Sequence, residues 1–119
     1  EHFYLEGQIS YAIPHANESL KVYRSPQHPT ALQLLICHAL GMNMHQVSVE
    51  SRRMCGGFGG KESQSAQWAC IASLAAQKTG RPCKLRLDRD DDMRATGKRH
   101  GVGCEGTEGV EDSGVLKGL

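Results

Sequence analysis

One stretch decides how this chain is organised: Cys55-Gly56-Gly57-Phe58-Gly59-Gly60-Lys61-Glu62, called the glycine loop below. It lies between a predicted strand and a predicted helix. Glycine has no Cβ and adopts positive φ freely, so the backbone here can turn tightly or approach a ligand closely. The helix that follows adds unpaired N–H groups and partial positive charge. The pattern predicts a site for an anion or an oxo group, and a plain strand-to-helix turn is the structural alternative.

The glycine loop does not match the common nucleotide-binding motifs. Lys61 is followed by Glu62 and not by Ser or Thr, which excludes the phosphate loop GxxxxGK[ST]. The spacing GxGxxG is not met cleanly, and no acidic residue closes a βαβ unit about 20 residues further on. A generic phosphate-binding α/β module is therefore the weakest functional hypothesis.

Two strands, a helix and a third strand are predicted ahead of the loop. Alternating apolar side chains predict strands over residues 3–13 and 20–24, which pair as a hairpin through a turn at residues 15–18. Pro29 suits the first helical position, where its missing N–H is not needed, and Gly41 suits the end of that helix. The apolar residues that carry these patterns are Tyr4, Ile9, Tyr11, Ile13, Leu20, Val22, Leu32, Leu35, Ile36, Ala39, Leu40, Val47 and Val49.

Behind the loop, alanines from Glu62 to Lys78 predict a second helix that ends at Gly80. A strand over residues 83–87 and a turn or short helix over residues 88–92 follow. Two short strands are permitted around the turn at residues 111–114, by Val102, Cys104, Val110, Val115 and Leu116. The predicted fold class is α+β: a mixed sheet of short strands packed with two main helices.

Composition narrows the classes of function. The chain has 119 residues, enough for one domain, and a formal net charge of +1, which indicates neither a nucleic-acid nor an anionic membrane partner. Aromatic residues make up only 5 %, so we expect a modest core that depends on neighbours. The small side chains of the second helix suit packing inside a larger assembly.

The cysteines and the start of the chain suggest the cellular location of the protein. Five cysteines without a CxxC pair are typical of reduced thiols, so we expect a cytoplasmic protein. No apolar segment approaches the roughly 20 residues that span a bilayer, and no signal peptide precedes Glu1. The chain opens without Met in an alternating segment, and we therefore expect Glu1 to be an internal cut.

The string from Arg53 to Glu62 resembles RMGGGFGGKE, a motif of the xanthine dehydrogenases among the molybdenum hydroxylases. Further segments resemble that family in order along the chain, and the resemblance covers residues 1–100, with residues 101–119 weakly matched. It implies that residues 1–119 are the N-terminal part of a larger molybdopterin-binding domain. The matching segments are Glu1 to Glu6, Gln27 to Pro29, Thr79 to Pro82, Leu87 to Met93 and Thr96 to His100.

The resemblance assigns roles to five residues. It implies that the Gln27 amide hydrogen-bonds to the apical oxo ligand of molybdenum, and that Gly57, Phe58 and Gly59 line the molybdopterin and the oxo side. Gln27 and Phe58 would thus lie near the metal, through the oxo ligand or the backbone. Glu62 matches a glutamate that orients purine substrates, which favours a purine over an aldehyde.

The implied reaction is hydroxylation of hypoxanthine and xanthine to urate at a molybdenum-molybdopterin cofactor. The resemblance further implies 2Fe-2S clusters and FAD on other domains or subunits, and a remaining molybdenum subunit that holds the general base. No catalytic residue is expected within this chain, which should be inactive alone. Cys55 replaces a glycine of the family motif and Pro26 replaces a common threonine, and both changes fall beside the expected pocket.

A second hypothesis is a non-catalytic binding or scaffold module that retains the fold. Three features motivate it: the side chain of Cys55 in the loop, the glycine-rich residues 101–119, and the shortness of the chain. An uninterrupted reading frame that continues into a late, glycine-flanked glutamate would favour the enzyme.

Overall fold

The computed structural model describes residues 2–118, so Glu1, which opens the first family-like segment, lies outside the described residues. The fold is organised around a mixed four-stranded sheet, as predicted. The central pair is antiparallel, a third strand adds parallel to one side, and a fourth adds antiparallel to the other. In the order β3-β2-β1-β4, the strands are β1 (Ile9–His15), β2 (Ser19–Tyr23), β3 (Val47–Glu50) and β4 (Cys83–Arg86).

The predicted hairpin is confirmed, with Ala12 opposite Val22 in the centre of the sheet. Its turn uses two residues at positive φ, Asn17 at 59° and Glu18 at 53°. The first strand, however, begins at Ile9 and not at Phe3. The predicted alternation breaks down because residues 3–8 leave the sheet and place polar side chains against the glycine loop.

Three helices complete the α+β fold. Helix α1 (Pro29–Leu40) begins at the predicted proline and ends at Gly41, whose φ is 66°. Helix α2 (Gln64–Thr79) begins two residues later than predicted and ends at the left-handed Gly80. The possible short helix forms as α3 (Arg89–Ala95), with the Asp88 carboxylate accepting the N–H of Asp91. Within residues 2–118, no helix is long and apolar enough to cross a membrane.

The core lies between the sheet and helices α1 and α2. Alanines on α2 let its backbone approach β1 closely, while larger side chains of α1 fill the remaining space. A fully buried side chain such as Ile36 contributes about 2 kcal/mol of apolar burial. We call the central residues of this core the apolar layer: Ala12, Val22, Leu32, Ile36, Ala69 and Ala76.

Residues 101–118 form a separate exposed tail. Strands β5 (Gly109–Val110) and β6 (Leu116–Gly118) pair around the turn at residues 111–114, as predicted. No strand forms at Val102 or Cys104 in this described segment. Every residue from 101 to 118 is exposed, so the tail contributes nothing to the core.

Candidate functional site

The glycine loop is a strained connection between β3 and α2. Positive φ occurs at Gly56, Phe58 and Gly59, with values of 89°, 49° and 84°. For Phe58, which has a Cβ, such a conformation costs on the order of 1 kcal/mol and requires support from its surroundings. The ring of Phe58 is 60 % exposed and therefore does not join the core. The loop presents this aromatic side chain outward.

Gln27 is joined to the loop by both its side chain and its backbone. Its Oε1 accepts the backbone N–H groups of Gly59 at 3.0 Å and Lys61 at 3.1 Å. Its own N–H donates to the Lys61 carbonyl at 2.9 Å. Because backbone N–H groups only donate, the oxygen of the amide must face the loop. Nε2 remains as a donor, and it meets no acceptor among residues 2–118.

Gly57 brings the loop backbone directly against Gln27. A Cβ on Gly57 would lie 2.8 Å from both Cδ and Oε1 of Gln27, so a larger residue would displace the amide. The N–H groups of Gly57 and Phe58 have no protein acceptor within the described part of the chain. The N–H groups of Gly57 and Phe58 and the NH₂ group of Gln27 are all hydrogen-bond donors. This set fits an oxo group or another anion.

Glu62 is the last residue of the glycine loop and precedes the first turn of α2. Its side chain is exposed, and no cation pairs with it within residues 2–118. A carboxylate in this state can accept hydrogen bonds from a ligand. The structure therefore brings Gln27, Gly57, Phe58 and Gly59 into contact and places Glu62 at the end of the same loop.

A buried lysine anchors the loop, which the sequence analysis did not anticipate. Lys61 is 1 % exposed, and its Nζ lies 2.8 Å from a carboxylate oxygen of Glu6 and 4.9 Å from the ring centroid of Tyr4. Partial burial raises the pKa of Glu6, but hydrogen bonds from Lys61 and Ser25 outweigh it and hold this pKa below its usual value. Glu6 is therefore ionised at neutral pH.

A second buried group, the carboxylate of Asp92, gathers hydrogen bonds beneath the loop. It accepts from the Tyr4 hydroxyl at 3.0 Å, the Gln8 N–H at 3.1 Å and the Thr96 hydroxyl at 2.8 Å. Gln8 Nε2 donates in turn to the Tyr4 hydroxyl and, at 3.0 Å, to the Gly60 carbonyl. Burial is the main cause that raises the pKa of Tyr4 to about 12, so its hydroxyl keeps its proton. We call Tyr4, Glu6, Gln8, Lys61 and Asp92 the loop support.

Two arginines add further contacts. Arg24 is buried and donates to the Ile9 carbonyl at 2.9 Å and to the side chains of Ser10 and Gln8. Burial lowers its pKa to about 10, which still leaves it charged at neutral pH. Arg99 donates to the Phe58 carbonyl. The first and the last family-like segments in the chain, which contain Glu6 and Arg99, therefore both contact the glycine loop.

Tyr4, Lys61 and Asp92 lie inside segments that resemble the family, yet their supporting roles were missed. Charged side chains such as Lys61 and Asp92 are rarely buried, so a pattern of residue types predicts them to be exposed. The spacing in sequence between Tyr4 and Asp92 also hides their contact. Within residues 2–118, no group of three or more His, Cys, Asp or Glu side chains is placed to hold a metal ion. The groups around Gln27 are N–H donors, which suit an oxo group or another anion.

Known proteins show which family the chain belongs to. A family model described as "Molybdopterin cofactor-binding domain" matches residues 1–119. The chain belongs to this family, and molybdopterin is the cofactor of the domain. This match agrees with the family that the motifs predicted.

Relatives of two kinds match the chain almost equally well. A xanthine dehydrogenase of Calliphora vicina is 43 % identical over 100 residues, covering 84 % of this chain and 7 % of its own length. Aldehyde oxidase 2 of Cavia porcellus is 42 % identical over 120 residues, covering 100 % of this chain and 9 % of its own length. The chain thus spans less than a tenth of these relatives.

The fold also has a counterpart of known structure. Reconstituted CO dehydrogenase from Oligotropha carboxidovorans superposes with a TM-score of 0.70 at 24 % identity, covering 77 % of this chain and 11 % of that one. At this level of identity the likeness concerns the fold alone. It agrees with the predicted mixed sheet and helices.

Proposed function

We propose that this chain is the N-terminal part of the molybdopterin-binding domain of an enzyme that hydroxylates purines, converting hypoxanthine and xanthine to urate. The observation that carries the proposal is the position of Glu62. Its exposed carboxylate lies at the end of the glycine loop, next to the hydrogen bond between Lys61 and Gln27, and has no cationic partner in the described structure. A carboxylate there can accept hydrogen bonds from the N–H groups of a purine and balance charge on its heteroatoms.

The remaining site residues serve the cofactor in this proposal. Gln27 Nε2 would donate to an oxo ligand of the molybdenum, and the backbone of Gly57, Phe58 and Gly59 would line the molybdopterin. The Gly59 N–H orients the Gln27 amide, since it already donates to Oε1. Gly57 and Phe58 supply the free loop N–H groups. When bound, the cofactor provides the oxygen transfer and the two-electron chemistry, and the protein contributes orientation and hydrogen bonds.

The rest of the enzyme supplies what this chain lacks. We propose that the remainder of the molybdenum subunit carries the general base, and that 2Fe-2S clusters and FAD on other domains or subunits receive the electrons. The short share of each relative that the chain spans supports this division. We further propose a cytoplasmic location and a role in purine catabolism, for which the five free thiols are the supporting feature.

The substrate test uses the complete enzyme, because relatives named for xanthine and for aldehyde are equally similar. Steady-state kinetics with hypoxanthine, xanthine and benzaldehyde are compared for the wild type and Glu62→Gln. Losing a charge-assisted hydrogen bond to the purine should lower kcat/KM for xanthine by about 10- to 100-fold. The same substitution should leave benzaldehyde turnover within about threefold, and Glu105→Gln, in the exposed tail, should change neither.

Two outcomes would reject the proposal. A complete enzyme that oxidises benzaldehyde and not purines would make the protein an aldehyde oxidase. A complete, molybdenum-loaded protein that turns over neither class would favour the non-catalytic module suggested by Cys55 and the glycine-rich tail.

A further inference from the structure

We propose that Lys61 is a positioning residue that holds the Gln27 amide and Glu62 in register with each other. The proposal deepens the function proposed above and rests on the role of Gln27 at the cofactor. Lys61 does not touch a ligand itself, because its side chain is 1 % exposed and its ammonium group points into the interior. Its effect must therefore pass through the groups that its backbone holds.

The side chain of Lys61 is tied on several sides. Its Nζ lies 2.8 Å from the Glu6 carboxylate and 3.5 Å from the Ser25 hydroxyl, and Ser25 itself donates to Glu6. The ring of Tyr4 covers the ammonium at 4.9 Å from its centroid. A buried ammonium must keep its carboxylate partner, since an isolated buried charge is strongly destabilising. This requirement fixes the position of Lys61 along the loop.

The backbone of the same residue holds Gln27. The Lys61 N–H donates to Gln27 Oε1 at 3.1 Å, and the Lys61 carbonyl accepts the Gln27 N–H at 2.9 Å. Lys61 thus binds the interior through its side chain and Gln27 through its backbone. Its carbonyl also accepts the Ser65 hydroxyl at 3.1 Å, which links the anchor to the start of α2.

A shift of Lys61 would therefore displace two site groups together. The Gln27 side chain would lose one of the two N–H donors to its Oε1, and the Gln27 backbone N–H would lose its acceptor. Glu62, the next residue in the chain, would move with the backbone. Misplacing a group by about 1 Å can lower a catalytic rate by about 100-fold without any loss of ligand contacts elsewhere. The Glu6–Lys61 pair would then control the geometry of a site that neither side chain touches.

The test is a double-mutant cycle in the complete holoenzyme, assayed with whichever substrate it oxidises. Lys61→Met keeps an unbranched apolar chain and removes the ammonium group, while Gln27→Ala removes the amide. Each single variant should lower kcat by about 100-fold. The double variant should be no worse than about 300-fold, because both changes remove the same contact. Lys78→Met, on the exposed end of α2, is the matched control and should stay within about twofold of the wild type.

Two further measurements separate positioning from loss of structure. Molybdenum per chain, measured by elemental analysis, should stay near the wild-type level in Lys61→Met, while the EPR spectrum of the partly reduced metal should change. If Lys61→Met does not fold, Glu6→Gln keeps the lysine and the shape of the site. It should lower kcat by about tenfold and show the same coupling to Gln27→Ala.

A fall in kcat near 10⁴-fold in the double variant would overturn the proposal, because multiplied losses indicate that Lys61 and Gln27 act independently. An unchanged EPR spectrum in a Lys61→Met enzyme that has lost activity would also overturn it. Failure of the purine assignment leaves this test intact, because the cycle can be run with an aldehyde substrate.

Discussion

The apolar layer and the loop support lie side by side but are built from opposite kinds of residue. The apolar layer joins Ala12, Val22 and Ile36 to the alanines of α2 by contact alone. The loop support joins Tyr4, Lys61 and Asp92 by directed hydrogen bonds and one ion pair. Apolar packing tolerates small shifts, whereas hydrogen bonds require each partner at a defined distance and angle.

The difference shows how the chain divides its tasks. Apolar burial holds the sheet and helices together, and its contribution depends on area more than on direction. Burying polar groups is costly unless every partner is present, so the loop support contributes less net stability than its number of bonds suggests. In return it specifies one arrangement of the strained loop at Gly56, Phe58 and Gly59.

The largest effect is expected from Asp92→Ala, which breaks the loop support at its centre. The change leaves the Tyr4 hydroxyl, the Gln8 N–H and the Thr96 hydroxyl without their buried acceptor. The free energy of unfolding should fall by about 4 kcal/mol. Urea unfolding of residues 1–119, followed by the fluorescence of Trp68, measures it. Asp90→Ala, exposed on the same helix, should change stability by less than about 0.5 kcal/mol, and a loss below about 1 kcal/mol for Asp92→Ala would contradict the central role of its carboxylate.

A slightly smaller loss is expected in the apolar layer itself. Ile36→Ala removes a fully buried side chain and should lower the free energy of unfolding by about 3 kcal/mol. Leu34→Ala, half exposed on the same helix, should cost less than about 1 kcal/mol. In the complete enzyme, Ile36→Ala should leave kcat near the wild-type value in the molecules that remain folded. A large fall in kcat would show that the two regions are not separable.

Gly57→Ala should disturb the site while changing no residue of the apolar layer or of the loop support. It therefore sharpens the comparison between those two regions. The added Cβ would lie 2.8 Å from the Gln27 amide and push it aside. In the complete enzyme, kcat should fall by about 100-fold, equivalent to about 2.7 kcal/mol in the barrier. Gly7→Ala is the control, because its Cβ would meet Asp92 Oδ2 at an ordinary 3.5 Å. Equal kinetics for the two variants would argue against a steric role of Gly57.

The smallest effect concerns pH. The pKa of Glu6 is lowered overall, since the hydrogen bonds from Lys61 and Ser25 outweigh the raising effect of burial. A carboxyl with a depressed folded pKa contributes stability above its unfolded pKa, and this contribution is lost as pH falls through the folded value. Urea unfolding between about pH 7 and pH 3 should therefore show a shallower loss of stability in Glu6→Gln than in the wild type. Identical slopes would mean that the Glu6–Lys61 pair adds no net stability.

Local signals in the sequence predicted most of the fold. Pro29 and Gly41 mark both ends of α1, and Gly80 marks the end of α2, because each residue has a backbone preference that acts without tertiary contacts. The hairpin followed from alternation in β1 and β2. Residues 3–8 were assigned to a strand wrongly, since Tyr4 alternates with its neighbours but turns toward Asp92 instead of a strand partner.

The candidate site was foreseen only in part. Spacing and glycine chemistry around Phe58 indicated a close approach to an anion or oxo group, and the family motifs added Gln27 and Glu62. No local pattern indicates that Gly57 lies so close to Gln27 that a Cβ there would be only 2.8 Å from the amide, because the two residues are far apart in the chain. The burial of Lys61 was equally invisible, since lysine is normally exposed.

By itself, the sequence determined the order of the main strands and helices, where α1 begins and where both main helices end, that a glycine loop joins β3 to α2, and which family the chain belongs to. These properties depend on short-range backbone preferences and on motifs, which are readable residue by residue. Only the tertiary structure decided which way the Gln27 amide faces and what holds the loop. Those outcomes depend on hydrogen bonds between Tyr4, Gln27, Lys61 and Asp92, whose partners meet only when the whole chain has folded.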